Sequence, residues 1–484
     1  MRKILIAALF VPLISIAQTK KTNGVTSPLG RSIQISLKPY PKDTKIYIGT
    51  NYGNSKVLAD SCVLNEKSEG VFKAKEKLTP GIYFVISPKM SILFDFLVDD
   101  VQQFKISADT NDLKNVAITG SKENDMFKSY SQGINNMFVE LNEIEQNFKA
   151  SKTAKDSSFY KESYIAKDKA IKQKRRNFIA ENPGSMMSFL LNTMEVPEAP
   201  SIPIVNGKAD SLYPYRYVKD HYWDNVVFND NRLLRTPFFE NKLDEYFRNY
   251  VSREPDSIIN EIQYMLTVAK TGKEIYPFLL FKFTNKYISP EFMGQDKVFV
   301  HIYQNFFAKG DTVLLSDASK KSLKERAYSL MANQLGLPAP ILVLNDVNEK
   351  RFSLHNTKAT FTFIAFWDPT CSHCKVEIPK LDSMYKASWI KHDVKLIAVN
   401  TNTKEMAAWK TFIKEQHLDA WINAYQTEED LNKEISEGKP TTIRQLYDVY
   451  KTPTFYLLDK DKKIVAKNLS IEQFNDFIQA TLKK

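Results

Sequence analysis

The sequence predicts a chain of three folded parts: an all-β sandwich, an all-α middle and an α/β domain at the carboxyl end. Three observations carry this. Apolar and polar residues alternate from about Arg31 to Asp109, the period of strands with one buried face. From about Ser121 to Leu335 the period becomes helical. From Pro340 to Lys484 apolar strand runs alternate with helix-compatible stretches, which implies a sheet with helices on both faces. At 484 residues, 43% hydrophobic and 25% charged, the chain exceeds one ordinary core and has ordinary globular content.

The elements follow in chain order. Arg2 and Lys3 precede the apolar stretch Ile4 to Ile16, and Ser15-Ile16-Ala17 is small at the two positions a signal peptidase reads, so residues 1–17 are expected to be a cleaved secretory signal. The apolar segment is shorter than the roughly 20 residues that span a bilayer. Gln18 follows the cut where a lipoprotein would have cysteine. An exported protein of the periplasm or cell envelope, with no stable membrane anchor, is the expectation.

Residues 31–120 read as the small β sandwich: Ile33, Ile35 and Leu37 alternate with Gln34, Ser36 and Lys38, and similar runs appear at Lys45 to Ile48, Ile82 to Ile86, Ile92 to Val98 and Phe104 to Ser107. Pro41, Gly53, Gly70, Pro80 and Gly81 punctuate them. Cys62, in the strand-like stretch Lys56 to Val63, reads as a buried inert thiol.

Residues 121–335 read as the helical domain, with room for about eight helices of ordinary length. Ser289-Pro290-Glu291 has the form of a helix start, and the stretch from Ser316 ends at Gly336, before Pro338 and Pro340. Met194 to Asn206, with three prolines, is the expected internal loop. The net charge of +11 is scattered. Its densest cluster, Lys167 to Arg176, shares a helix with Tyr164, Ile171 and Phe178 at seven-residue spacing, so the cations read as a solvated face and no nucleic-acid role is expected.

In residues 336–484, strands are expected at Thr360 to Trp367, Val394 to Val399 and Thr454 to Leu458, and helices at Cys371 to Tyr385, Glu405 to Gln416 and Ile471 to Leu482. Cys371-Ser372-His373-Cys374 lies at the carboxyl end of one such strand, where open α/β sheets place their ligands. Two cysteines two residues apart at a strand-to-helix junction are the layout of a dithiol that cycles with a disulfide. The attacking group is the thiolate, and a free thiol has a pKa near ~8.5, so the site must favour the anion. Cys371 would face the positive end of its helix, and protonated His373 would add charge-assisted stabilisation. Cys374 falls on the same helical face, close enough to resolve a mixed disulfide. Six dispersed histidines and the lack of a second CxxC argue against a metal site, and no cofactor is expected.

Residues 336 to 484 resemble the thioredoxin-fold domain of the TlpA/ResA-like periplasmic thiol-disulfide oxidoreductases. Gly336-Leu337-Pro338-Ala339-Pro340 opens the resemblance, Phe366-Trp367-Asp368-Pro369-Thr370-Cys371-Ser372-His373-Cys374 carries the site, and Lys451-Thr452-Pro453-Thr454-Phe455 supplies a later proline motif. The family carries an insertion where this chain has extra residues from about Thr401 to Ile443. The preceding regions resemble an arrangement found in secreted Bacteroidota proteins, through His221-Tyr222-Trp223-Asp224-Asn225 and Arg232-Leu233-Leu234-Arg235-Thr236-Pro237.

The resemblance implies that Pro453 is a cis proline facing the dithiol, with Thr452 offering backbone hydrogen bonds to an extended substrate. It implies that Glu377, in Cys374-Lys375-Val376-Glu377-Ile378-Pro379, exchanges a proton with Cys374, provided burial raises its pKa. Thioredoxin has an aspartate where this chain has Ala365, which shifts acid-base work toward Glu377. Trp367 is expected beneath the site, in packing or in substrate contact, and Pro379 is expected to kink its helix.

The expected activity is therefore reduction or exchange of protein disulfides, with protein thiols and disulfides as substrates and a membrane thiol carrier as electron donor. A thiol oxidant of the same fold is the alternative, because a histidine before the second cysteine stabilises the thiolate and so the reduced form. A non-catalytic envelope binding protein with a structural CxxC disulfide is the other. A peroxidase is disfavoured, since Asp368-Pro369-Thr370-Cys371 lacks the usual Pro-x-x-x-Thr/Ser approach to the cysteine.

Overall fold

The computed structural model describes residues 30–312, 314–436 and 442–483. The expected signal at residues 1–17 lies outside them. The described residues form two compact units: 30–252 with Glu261–Leu279, and Arg253–Asn260 with those from Leu280 on.

In the first unit eight strands build the sandwich: β1 Arg31–Lys38, β2 Lys45–Tyr52, β3 Ser55–Val63, β4 Glu69–Ala74, β5 Gly81–Ile86, β6 Ile92–Val98, β7 Gln103–Asp109 and β8 Asp112–Thr119. They form two four-stranded sheets, ordered β4-β1-β7-β8 and β3-β2-β5-β6. The alternating residues of both sheets meet in one core, which includes Ile33, Ile35, Phe72, Ile48, Tyr83, Phe96 and Ile106. Cys62 is buried in that core. β4 and β8 lie at sheet edges and were absent from the expected strand set; β8 has no fully buried residue, so it lacks the strong period-two signal.

Nine α-helices follow among the described residues, where about eight were expected: α1 Lys122–Ala150, α2 Ala154–Glu181, α3 Met186–Met194, then, beyond the short hairpin β9 Ile204–Val205 and β10 Lys208–Ala209, α4 Tyr213–His221, α5 Phe239–Asn249, α6 Pro255–Ala269, α7 Ile275–Tyr287, α8 Asp296–Asn305 and α9 Asp317–Met331. On α2 Ile171 is buried, while Lys167 pairs with Glu140 and Lys172 with Asp168 and Glu198. Ser289-Pro290-Glu291 does not start a helix. Bends and turns run on to Gln295, because Gly294 at φ +85° has left the right-handed helical region, and α8 begins only at Asp296. Ser316 does cap α9, accepting the Ser319 N–H at 3.1 Å.

The carboxyl-terminal domain contains β11 Val343–Asp346, β12 Arg351–Ser353, β13 Phe361–Trp367, α10 Ser372–Ala387, β14 Val394–Asn400, α11 Met406–Glu415, β15 Ile422–Tyr425, α12 Glu428–Ser436, α13 Ile443–Leu446, β16 Thr454–Leu458, β17 Ile464–Lys467 and α14 Ile471–Leu482. Its seven-stranded mixed sheet has the order β12-β11-β15-β14-β13-β16-β17. β13 is central, parallel to β14 and antiparallel to β16, and all seven of its residues are buried.

The alternation of β13 divides the core. Phe363, Ala365 and Trp367 pack against Cys374, Ile378 and Leu381 of α10, Trp409 of α11, and Phe474 and Ile478 of α14. Ile364 and Phe366 pack on the other face with Leu342, Leu354, Ile443 of α13 and Tyr447. Each large apolar side chain so buried contributes roughly 1.5–3 kcal/mol. The apolar positions of α10, at Cys374, Ile378, Leu381 and Tyr385, recur at helical spacing and continue past Pro379 within one unbroken helix.

A buried polar cluster interrupts the apolar packing of the second unit. The Lys467 ammonium, at the end of β17, donates to Asp296 Oδ2 at 2.7 Å and to the Asn333 carbonyl and Oδ1 at 2.8 and 2.6 Å. Its three protons have three acceptors, which is what permits a charge to be 4% exposed. The cluster joins α8 and the end of α9 to the sheet.

Candidate active site

Cys371 follows β13 after a short turn. Its N–H is bonded to the Asp368 carbonyl at 3.1 Å, and it stands at the N-cap of α10 with extended backbone angles. The sulfur therefore meets the first unpaired N–H groups of the helix. Its S–H donates to the Thr452 carbonyl at 3.4 Å. Burial raises the pKa of this half-buried thiol, but hydrogen bonding from the Thr452 side chain, from the Cys374 N–H and thiol, and from the His373 N–H outweighs burial, so the net shift is downward.

Cys374 is the opposite case. It is 0% exposed, and burial pushes its thiol up to about 12, against the Asp368 N–H that approaches its sulfur at 3.5 Å. Both cysteines are free thiols. One helical turn thus carries an accessible sulfur biased toward the anion and a sealed sulfur biased toward the neutral form.

The Thr452-Pro453 peptide is cis and faces Cys371 from the start of β16. Trp367 lies under the site but is 0% exposed and packs on Phe412 at 5.2 Å. Expected substrate contact by this side chain is thereby corrected: a ring without surface supports the site only through packing. The His373 ring is exposed with no hydrogen bond among the described residues, and its backbone N–H is one of the groups that lower the Cys371 pKa.

Glu377 makes no hydrogen bond to Cys374 among the described residues. The inward stripe of α10 takes Cys374 into the core, while Glu377 sits at the edge of that stripe and pairs with Lys380 Nζ at 2.9 Å. Asp368 borders the dithiol through its main chain, its N–H approaching the Cys374 sulfur and its carbonyl accepting from the Cys371 N–H, a role the motif spacing did not announce. Its Oδ1 accepts from the Thr370 N–H at 2.8 Å and hydroxyl at 2.7 Å, and its Oδ2 from Asn402 Nδ2 at 3.1 Å, which ties the turn to the segment after β14. The available signal was the Asp-Pro-Thr order before the cysteine, an aspartate poised to bond two residues on. Thr401 completes the tie, with its N–H and hydroxyl on the Trp367 carbonyl at 2.8 and 3.0 Å. Beside this strand end a cavity of about 350 Å³ is lined by Phe366, Asn400, Thr401, Glu428, Ile443 and Arg444 among others.

Comparison with known proteins places these features. Residues 335–467 match the AhpC/TSA family, residues 166–333 a domain of unknown function (DUF5106) and residues 32–127 another (DUF4369). A thiol-disulfide oxidoreductase ResA of Bacillus cereus is 30% identical over 151 residues, 31% of this chain and 78% of that protein. A thioredoxin-like protein from Bacteroides caccae aligns over 59% of this chain and 99% of its own at 19% identity and a TM-score of 0.44. A thiol:disulfide interchange protein from Bacteroides sp. aligns over 31% and 93% at 27% identity and a TM-score of 0.26.

Proposed function

Through its carboxyl-terminal domain the chain belongs to the ResA-like thiol-disulfide oxidoreductases, and we propose that it is an exported member that reduces or exchanges protein disulfides through Cys371 and Cys374. The observation that carries this reading is the asymmetry of the two thiols. Cys371 is the partly exposed nucleophile. Its thiolate attacks a substrate disulfide, forms a mixed disulfide and releases one substrate thiolate, which takes up a proton. Cys374 then loses its proton and attacks the Cys371 sulfur, which frees the second substrate thiol and leaves the Cys371–Cys374 disulfide. A membrane thiol carrier outside the cytoplasm is the proposed donor that returns the two electrons.

The high pKa of Cys374 supports the order of events, since it holds the resolving thiol neutral while Cys371 reacts. Thr452, whose carbonyl faces Cys371, is positioned to pair with an extended substrate backbone. Cys374→Ser is expected to trap mixed disulfides through Cys371, visible on a non-reducing gel; no trapped species with any exported protein would sink the proposal. The potential of the pair sets direction: near ~−270 mV marks a reductant, near ~−120 mV an oxidant.

A further inference from the structure

The segment leading into Thr452-Pro453 is held by the helical region as well as by its own domain. α13 begins with a reciprocal cap between Thr442 and Gln445, and the chain then turns through Asp448, whose N–H is bonded to the Gln445 carbonyl at 3.1 Å. Asp448 lies at φ +50°, in the left-handed region that a side chain other than glycine adopts only when its surroundings enforce it. The Asp448 side chain is held by Arg326 of α9. Its guanidinium pairs with the Asp448 carboxylate, donates from Nε and Nη2 to the Ile288 carbonyl at 3.3 and 3.1 Å, and stacks on the Tyr450 ring at 5.0 Å.

A second tie lies just past the end of α9. The buried Asn333 side chain donates to the Leu446 carbonyl at 2.9 Å while accepting from Lys467, so the buried ammonium cluster and the turn share one residue. From Asp448 the chain reaches Thr452 in four residues, and the Thr452 carbonyl faces the Cys371 sulfur.

We propose that Arg326, through Asp448 and Tyr450, is a positioning residue for the thiol site: the helical region sets the place of the Thr452-Pro453 loop and with it the reactivity of Cys371. The inference rests on the proposed thiol-disulfide chemistry and adds a role for the helical region in it. With the guanidinium removed, Asp448 is a buried carboxylate without its partner, and its turn has lost the contact that holds it. Thr452 is then free to drift from Cys371: the carbonyl that accepts the S–H leaves, and with it the Thr452 side chain, whose hydrogen bonding is the leading influence favouring the thiolate.

The test compares Arg326→Met, Arg326→Lys and Asp448→Asn in the full chain, with Arg351→Met as control, since Arg351 pairs with Asp430 at an exposed site of the same domain. Alkylation of Cys371 by iodoacetamide is followed against pH by mass spectrometry, and the dithiol is equilibrated with glutathione. Arg326→Met and Asp448→Asn are expected to slow alkylation at neutral pH about ten-fold and shift the glutathione equilibrium about ten-fold, equal to about 30 mV. Arg326→Lys is expected to recover part of the loss and Arg351→Met to change neither readout. Lower thermal stability with unchanged alkylation and equilibrium would overturn the inference and leave Arg326 a structural residue. If Arg326→Met does not fold, Asp448→Asn and Arg326→Lys decide by the same readouts. If the wild-type chain exchanges no disulfides, the proposed function fails, while the alkylation profile still decides this point.

Discussion

Cys62 in the sandwich and Cys371 at the end of β13 are the same side chain in opposed surroundings. Cys62 points into a core of aliphatic and aromatic residues; burial, and then the carboxylate of Asp60, push its thiol up to about 12. Cys371 also loses water, yet its pKa moves down, because N–H and hydroxyl groups converge on the sulfur. Burial alone therefore does not separate an inert thiol from a reactive one. The separation comes from whether the backbone brings unpaired donors to the sulfur, and here a strand-to-helix junction does so. Cys374 shows how local this is: three residues further into the same helix, the thiol is pushed up as far as Cys62.

The largest expected break in this contrast is Cys371→Ser, which lowers disulfide exchange on the order of 10³-fold or more, as loss of an attacking nucleophile does, measured by reduction of a model disulfide. Next is Lys467→Met, where Asp296 stays buried without its ammonium. A cost of about 3–5 kcal/mol in denaturant unfolding is expected, partly recovered when Asp296→Leu is added. In the sandwich the Arg31–Asp60 pair is more exposed than Lys467–Asp296, at 11% and 22% against 4% and 5%, so a smaller loss is expected when Arg31 is replaced.

The pH response sharpens the comparison further. In the reduced protein Cys371 is expected to be alkylated at neutral pH, and Cys62 and Cys374 only as pH approaches about 12. Stability follows the same shifts. The unfolded chain loses these two protons near the ordinary thiol value of about 9, while the folded chain keeps them until about 12. Stability is thus full below pH 9 and declines as pH rises through that window. The smallest effect is expected for Cys62→Ala: exchange unchanged, stability lower by about 1 kcal/mol, and a shallower alkaline decline, read by denaturant titration across pH.

Much of the fold was legible in the chain because its signals are periodic. β13, β14, β16 and α14 lie within a residue of their expected limits, since each repeats apolar residues at its own period and α14 carries a Ser470/Gln473 cap. Edge strands such as β8 were missed for lack of buried residues. At the site, the dithiol was legible as a spaced motif, while the cis state of Pro453 was legible only through the family resemblance, since the residues alone read as a trans turn proline. The environment of those motifs was not. Glu377 matched a spacing but pairs with Lys380, and the His373 ring matched a charge argument but makes no hydrogen bond among the described residues. Asp368, Arg326 and Lys467 act across 34, 122 and 171 residues, and no local pattern announces a partner that distant.

The hydrogen bond between Cys371 and Thr452 closes a loop of 81 residues. An emerging or unfolded chain carries the CxxC complete in sequence but without Thr452, the capped helix or the buried seat of Cys374. Its cysteines then behave as ordinary thiols near pKa ~8.5. The contact with Thr452 requires β16 to be docked beside β13, so the cost of closing that long loop must be met before the sulfur has these surroundings. The fold thus creates the difference between two sulfurs that are alike in the unfolded chain: it moves Cys371 toward the anion and Cys374 toward the neutral thiol.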